Sequence, residues 1–152
     1  MSRPADIDHK APVIADHRIT IRASRTRAWK LLTEIAEWPR WQTDIQEAAL
    51  DARLEPGAAF RWTTFGMSIT STVHALDEGS RIVWSGEAQD IIGIHEWTFT
   101  DVRDGVEVRT RESFSGPPIT ADAPKMQALL DGSLVAWLQR LKAAAESTQD
   151  SN

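Results

Sequence analysis

The 152-residue chain has no cysteine and no tyrosine. Without thiols there is no disulfide, no cysteine nucleophile and no cysteine-ligated metal, and their absence fits a reducing compartment. Positive charge is also short: 17 Lys and Arg against 22 Asp and Glu leave a formal net charge of −5. The arginines are scattered among acids rather than gathered in a stripe, so a nucleic-acid partner, whose phosphates demand clustered cations, is not expected. No apolar run approaches the ~20 residues of a spanning helix, and residues 1–11 lack the apolar segment of a secretory signal. A cytoplasmic protein without a membrane partner is the expectation. His9, His17, His74 and His95 show no metal-ligand spacing. There is no Gly-x-Ser-x-Gly elbow, Gly-x-Gly-x-x-Gly fingerprint or phosphate-binding Gly-Lys-Ser/Thr loop, so neither metal nor cofactor is expected.

What the chain does have is tryptophan, seven in all, within an ordinary 41% apolar and 26% charged composition. Its length suits one domain with a real core. The periodic part runs over 13–146, with 1–12 and 147–152 reading as flexible polar tails. Ile19 and Ile21 alternate with polar neighbours in a first strand. Ser24 then caps a helix on which Ala28, Trp29, Leu32 and Ile35 recur at helical spacing. That helix must stop before Pro39, leaving a corner at Trp38-Pro39-Arg40-Trp41 and room for a second short helix over 41–45. Strands follow at 48–54, 60–64, 67–77 and 81–88. Treating the turns at Phe65-Gly66 and Glu78-Gly79 as two-residue loops pairs Trp62 with Ile69 and Val73 with Trp84. A long helix runs from Ala123 or Pro124 to about Ala145, with Met126, Leu129, Leu130, Leu134, Trp137, Leu138 and Leu141 as its apolar stripe.

The most informative stretch is the hairpin around Asp104-Gly105. Successive strand residues point to opposite faces, and Asp-Gly between alternating runs is a strong hairpin signal. A two-residue loop there puts Phe99 opposite Thr110, Trp97 opposite Glu112 and His95 opposite Phe114. One face then carries Glu96, Glu107, Arg109 and Arg111 and is wet. The other carries Trp97, Phe99, Phe114, His95 and a lone carboxylate, Glu112. The fold class is therefore α+β: a mainly antiparallel, seven-stranded sheet with one solvated face and a terminal helix across the other.

The motifs Trp38-Pro39-Arg40-Trp41, Pro56-Gly57…Phe60-Arg61-Trp62, Ile82-Val83-Trp84-Ser85-Gly86, Gly93-Ile94-His95-Glu96-Trp97 and Glu112-Ser113-Phe114-Ser115-Gly116, in this order and spacing, resemble the SRPBCC or START-like helix-grip superfamily. Within it they are most similar to the polyketide cyclase/dehydrase-type families. The resemblance covers about residues 15–145. It implies a curved sheet wrapped around the C-terminal helix, with one or two short helices after the first strand. It also implies a cavity between sheet and helix for a hydrophobic or aromatic small molecule.

Glu112 is the sharpest candidate. A carboxylate facing a sheet interior loses hydration and its pKa rises unless a partner compensates; such a group can anchor a ligand or serve as an acid or base. The plainer reading is a structural ion pair. His95, one step diagonally away on the neighbouring strand, is either a satisfied buried histidine or the partner of Glu112 in catalysis. Trp62, Trp84, Trp97, Phe99 and Phe114 are individually ordinary core residues; together, with the hydroxyls of Ser71 and Thr110, they describe a pocket wall. Three functions fit these residues: a carrier or sensor of a small hydrophobic molecule, an aromatase/cyclase- or dehydratase-type enzyme using Glu112 and His95, and an interaction module with a collapsed cavity. Exposed sheet edges and a corner tryptophan leave room for a homodimer.

Overall fold

The computed structural model describes residues 5–147. The first strand, β1 (Val13–Ile21), leads into α1 (Arg25–Thr33) and a 3₁₀ segment, Ile35–Arg40. Six strands follow: β2 (Ile45–Leu50), β3 (Ala59–Thr64), β4 (Met67–Asp77), β5 (Arg81–Ala88), β6 (Ile91–Val102) and β7 (Gly105–Ser115). A short helix, α2 (Pro117–Ala121), precedes the long α3 (Ala123–Ala145). All seven strands form one antiparallel sheet in the order β1-β7-β6-β5-β4-β3-β2. The α+β helix-grip arrangement expected from the sequence is the one observed.

The helices begin where capping chemistry puts them. Ser24 Oγ accepts from the Arg27 amide at the start of α1, and Asp122 accepts from the Lys125 amide at the start of α3, each satisfying an otherwise orphan donor. At the far end of α3, the Arg27 guanidinium donates to the carbonyls of Ala144, Ala145 and Ser147, where the helix dipole favours a cation. Lys142 donates to the Thr20 carbonyl and Arg140 to Gln42 and Asp44, while Gln127 reaches the Ile14 carbonyl and Asp131 pairs with His17. Leu130, Leu134, Trp137, Leu138 and Leu141 are buried against the sheet, each worth about 1.5–3 kcal/mol of apolar burial. Leu129, placed on the same stripe by its spacing, is 58% exposed: it lies in the half of α3 near the start of β1, turned away from the buried row.

Several local expectations are corrected. No second helix forms over 41–45; the chain makes its 3₁₀ turn earlier, over Ile35–Arg40, with Pro39 inside it. The strand expected at 48–54 is β2 at Ile45–Leu50, because pairing with β3 ends at Leu50 opposite Phe60. Val73 does pair with Trp84, but through two compensating irregularities. The loop has three residues, since Asp77 pairs with Arg81, and a bulge at His74 restores the register.

The segment before β1 is also not frayed over its described part. Ile7 is 5% exposed, the Asp8 amide donates to Ser113 Oγ, Arg81 donates to the Ala5 carbonyl, and Arg111 pairs with Asp6. These residues cover the outer face of β5–β7. Glu96, expected on a wet surface, lies beneath them at 4% exposure, its carboxylate held by Arg81 and Arg111. Residues 1–4 and 148–152 of the expected tails lie outside the described residues. The cross-strand pairs Arg109–Asp16 and Arg18–Glu107 do lie at the surface. Among the described residues no helix is long and apolar enough to cross a membrane, and no cluster of His, Asp or Glu suits a metal ion.

Candidate functional site

The hairpin register places the site. Val102 pairs with Gly105, so the turn is centred on Arg103-Asp104, with Asp104 at φ +69°. The expected Asp104-Gly105 loop is thus off by one position in each strand, and His95 lies directly opposite Glu112 rather than diagonal to it. Gly105 serves a different need: a Cβ there would come within 2.1 Å of the Ile21 carbonyl oxygen as β1 passes. Because both strands slip together, each residue keeps its face. Trp97 therefore meets Thr110, Phe99 meets Val108 and Phe114 meets Gly93.

His95 is wedged between indoles, with ring centroids of Trp84 and Trp97 each 5.2 Å away and that of Trp137 at 6.4 Å. Its Nε2 lies 2.7 Å from Thr110 Oγ1, and that hydroxyl reaches the Glu96 carbonyl at 3.2 Å. The Thr110 hydroxyl donates to the carbonyl and so accepts from the imidazole, which puts the histidine's proton on Nε2 and leaves Nδ1 a bare acceptor. Glu112 Oε1 is 3.4 Å from Nδ1. A contact across that gap needs one proton, carried by the carboxyl or by the imidazole. Burial decides which: it pulls His95 down to about 3 and pushes Glu112 up to about 8. Both shifts favour the neutral forms near neutral pH, a protonated carboxyl facing a neutral imidazole. Behind Glu112, the inner faces of β5 and β6 carry glycines, Gly86 opposite Gly93. A Cβ on Gly93 would lie 3.0 Å from Glu112 Oε2 and 3.1 Å from the Phe114 ring, so the carboxyl lies over the space the glycine leaves.

The remaining candidates divide. Trp62 donates to Ser71 Oγ at 3.0 Å and packs on Trp38, while Trp84 and Trp97 flank His95. Phe99, four residues along β6 from His95, instead packs edge-on against Trp29 of α1, 5.3 Å between centroids, and belongs to the support of that helix. Two residues assigned by sequence to the helical corner and the apolar stripe are central. Trp38 is fully buried, with Phe60, Trp62, Trp84 and Trp137 all within 5.2–5.6 Å of its ring. Trp137 reaches from α3 to Trp41, Trp62 and Trp97. The grip interior is thus lined and largely occupied by aromatic rings. The one sequence signal for the glycine notch was a glycine inside each of two adjacent strands.

A seven-stranded antiparallel sheet with a long C-terminal helix across it is the helix-grip class of the START-like proteins. Within it, residues 12–146 match the family model described as polyketide cyclase/dehydrase and lipid transport, and the chain belongs to that family. Solved structures agree on the fold. A START superfamily protein from Mycobacterium smegmatis is 14% identical, with 88% of this chain and 97% of that one covered and a TM-score of 0.77. The Zhui aromatase/cyclase of Streptomyces sp. R1128 is 15% identical, with 88% and 93% covered and a TM-score of 0.76. A hypothetical protein from Helicobacter pylori is 20% identical, with 96% and 99% covered and a TM-score of 0.77. No curated protein matches the sequence.

Proposed function

We propose that the protein binds a small hydrophobic, aromatic molecule between the sheet and α3, as a carrier or sensor, with Glu112 and His95 as the polar pair that orients it. The observation that carries this reading is the pair itself. A carboxyl and an imidazole are buried among Trp84, Trp97 and Trp137, and their only mutual reward is one long contact. Such a pair costs stability relative to an apolar core of the same shape, which is the pattern of a site kept for use. The family description, with its cyclase/dehydrase and lipid transport activities, supports a hydrophobic ligand in the same place. Because Trp38, Trp62 and Trp137 fill the middle of the grip, binding requires these rings to move, and the apparent affinity carries the cost of that rearrangement.

The test is native mass spectrometry of the freshly purified protein together with titration of an environment-sensitive apolar dye. A reproducible bound apolar molecule, displaced by the dye, is the expected result. A protein that carries nothing and leaves the dye dark would overturn the reading.

One observation favours the enzyme alternative: a carboxyl that stays protonated near neutral pH beside an unprotonated imidazole is a matched general acid and base for cyclisation or dehydration. Once a turnover is found, unchanged turnover in Glu112→Gln would remove Glu112 from its mechanism.

A further inference from the structure

The hydrogen-bond inventory of the interior is lopsided. The Thr110 hydroxyl accepts from His95 and donates to the Glu96 carbonyl. His95 Nδ1 faces the Glu112 carboxyl. The Trp62 indole N–H donates to Ser71, and that of Trp38 to the Leu32 carbonyl at 2.9 Å. The Trp29 indole N–H donates to Glu78, and among the described residues two fully buried indole N–H groups, those of Trp41 and Trp97, have no acceptor. Trp97 is the telling one, because its side chain is 0% exposed and its ring lies 5.2 Å from His95 and 5.5 Å from Trp137. Both imidazole nitrogens of His95 are already engaged, so that neighbour offers it nothing. The face of Trp137 supplies at most a second-order contact.

A buried donor without an acceptor is uncommon and costs about 1–3 kcal/mol. What is left over beside His95 is therefore a donor: the Trp97 N–H has no oxygen acceptor within reach among the described residues, and the missing one belongs beside Trp97.

We infer that the molecule held in the grip brings a hydrogen-bond-accepting oxygen, of carbonyl or ether type, to the indole N–H of Trp97. The inference rests on the proposed binding function and narrows its ligand class. Glu112 faces His95 Nδ1 at 3.4 Å, whereas the Trp97 N–H has no partner among the described residues, so the further anchoring donor is Trp97, which stands one strand step beyond His95 on the same face of β6. A ligand whose polar atom at this point is itself a donor, such as an amine, leaves two donors facing each other and is selected against. An aromatic ketone fits both the rings and the N–H.

The experiment uses the full chain with ¹⁵N-labelled tryptophan and two probes of one shape, indan-1-one and indane. Affinity is read by titration and the Trp97 indole resonance by NMR. Indan-1-one should bind about tenfold tighter than indane, equivalent to about 1.4 kcal/mol, and should shift the Trp97 indole proton downfield, whereas indane should not. In Trp97→Phe the two probes should bind alike; if that variant fails to fold, the two wild-type readouts still decide. Equal affinities with an unmoved indole proton would refute the Trp97 assignment while leaving the grip as a binding site. A strong water contact to that indole proton in the free protein, undisplaced by indan-1-one, would refute it too, since the acceptor would then be resident water. Binding of neither probe would overturn the binding function and the inference with it.

Discussion

Replacing Glu112 by Gln should make the protein more stable above neutral pH, the opposite of what loss of an ion pair would do. Folded Glu112 holds its proton up to about pH 8 while the unfolded side chain releases it near 4.5. Between those values the folded state binds more protons, and stability falls as pH rises. His95 runs the other way: its folded value of about 3 lies below the ordinary 6.5, so its contribution rises with pH up to about 6.5 and is flat above it. Because both proteins keep His95, the difference between wild type and Glu112→Gln isolates the carboxyl. A shift from 4.5 to about 8 is worth about 4 kcal/mol between about pH 5 and about pH 8. The side chain keeps 16% of its surface in water, so about half of that, roughly 2 kcal/mol, is expected. The Gln amide N–H replaces the carboxyl proton as donor to His95 Nδ1, so the variant should match wild type near pH 5 and exceed it by roughly 2 kcal/mol near pH 8. For a domain of this size that is about 4–8 °C in Tm. Urea unfolding at half-unit pH steps measures it. A pH-independent difference would refute the neutral carboxyl. A variant about 3–5 kcal/mol less stable at pH 7 would show that the pair is ionic.

Two further outcomes follow from the packing. Gly93→Ala places a methyl 3.0 Å from Glu112 Oε2 and 3.1 Å from Phe114; it should cost about 1–3 kcal/mol and weaken the pH dependence just described by pushing the carboxyl off His95, both read from the same unfolding series. Ile7→Ala should cost about 2 kcal/mol through lost burial and speed amide hydrogen exchange at Glu96 and Ser113, which the N-terminal segment covers; unchanged exchange there would show that the segment does not seal the outer face.

Much of the fold was legible because alternation reports faces rather than partners. The β6–β7 slip left Glu112, His95 and Trp97 on the inner side, since displacing both strands by one preserves which side each residue faces. The partner was not legible, because Asp104-Gly105 looks like a turn and the demand on Gly105 comes from β1, a strand more than eighty residues away. Val73 and Trp84 met for a reason the sequence hides, a bulge cancelling a longer loop. The burial of Glu96 was invisible for a similar cause: one isoleucine in a polar stretch carries no periodicity, yet the segment around Ile7 shares Arg81 and Arg111 with that carboxylate. The Glu112–His95 pair could be suspected from the pattern, but its protonation depends on the Thr110 hydroxyl, whose direction is set by a backbone carbonyl.

The fastening of α3 has a mechanical consequence. Its last turns are pinned to three separate elements, by Arg27 from α1, by the Thr20 carbonyl of β1 on Lys142, and by Gln42 and Asp44 on Arg140. Towards its start, the ties are Gln127 to Ile14 and the pairing of Asp131 with His17. The 23-residue helix is about 34 Å long, so it is a lever with its fulcrum at the C-terminal end. A tilt of about 5° about that fulcrum moves the first turn by about 3 Å, close to the thickness of an aromatic ring. For a protein that holds a guest as proposed, the contacts near Ile14 and His17 would then govern how fast it enters and leaves, and the tryptophans deep in the grip would govern how tightly it is held.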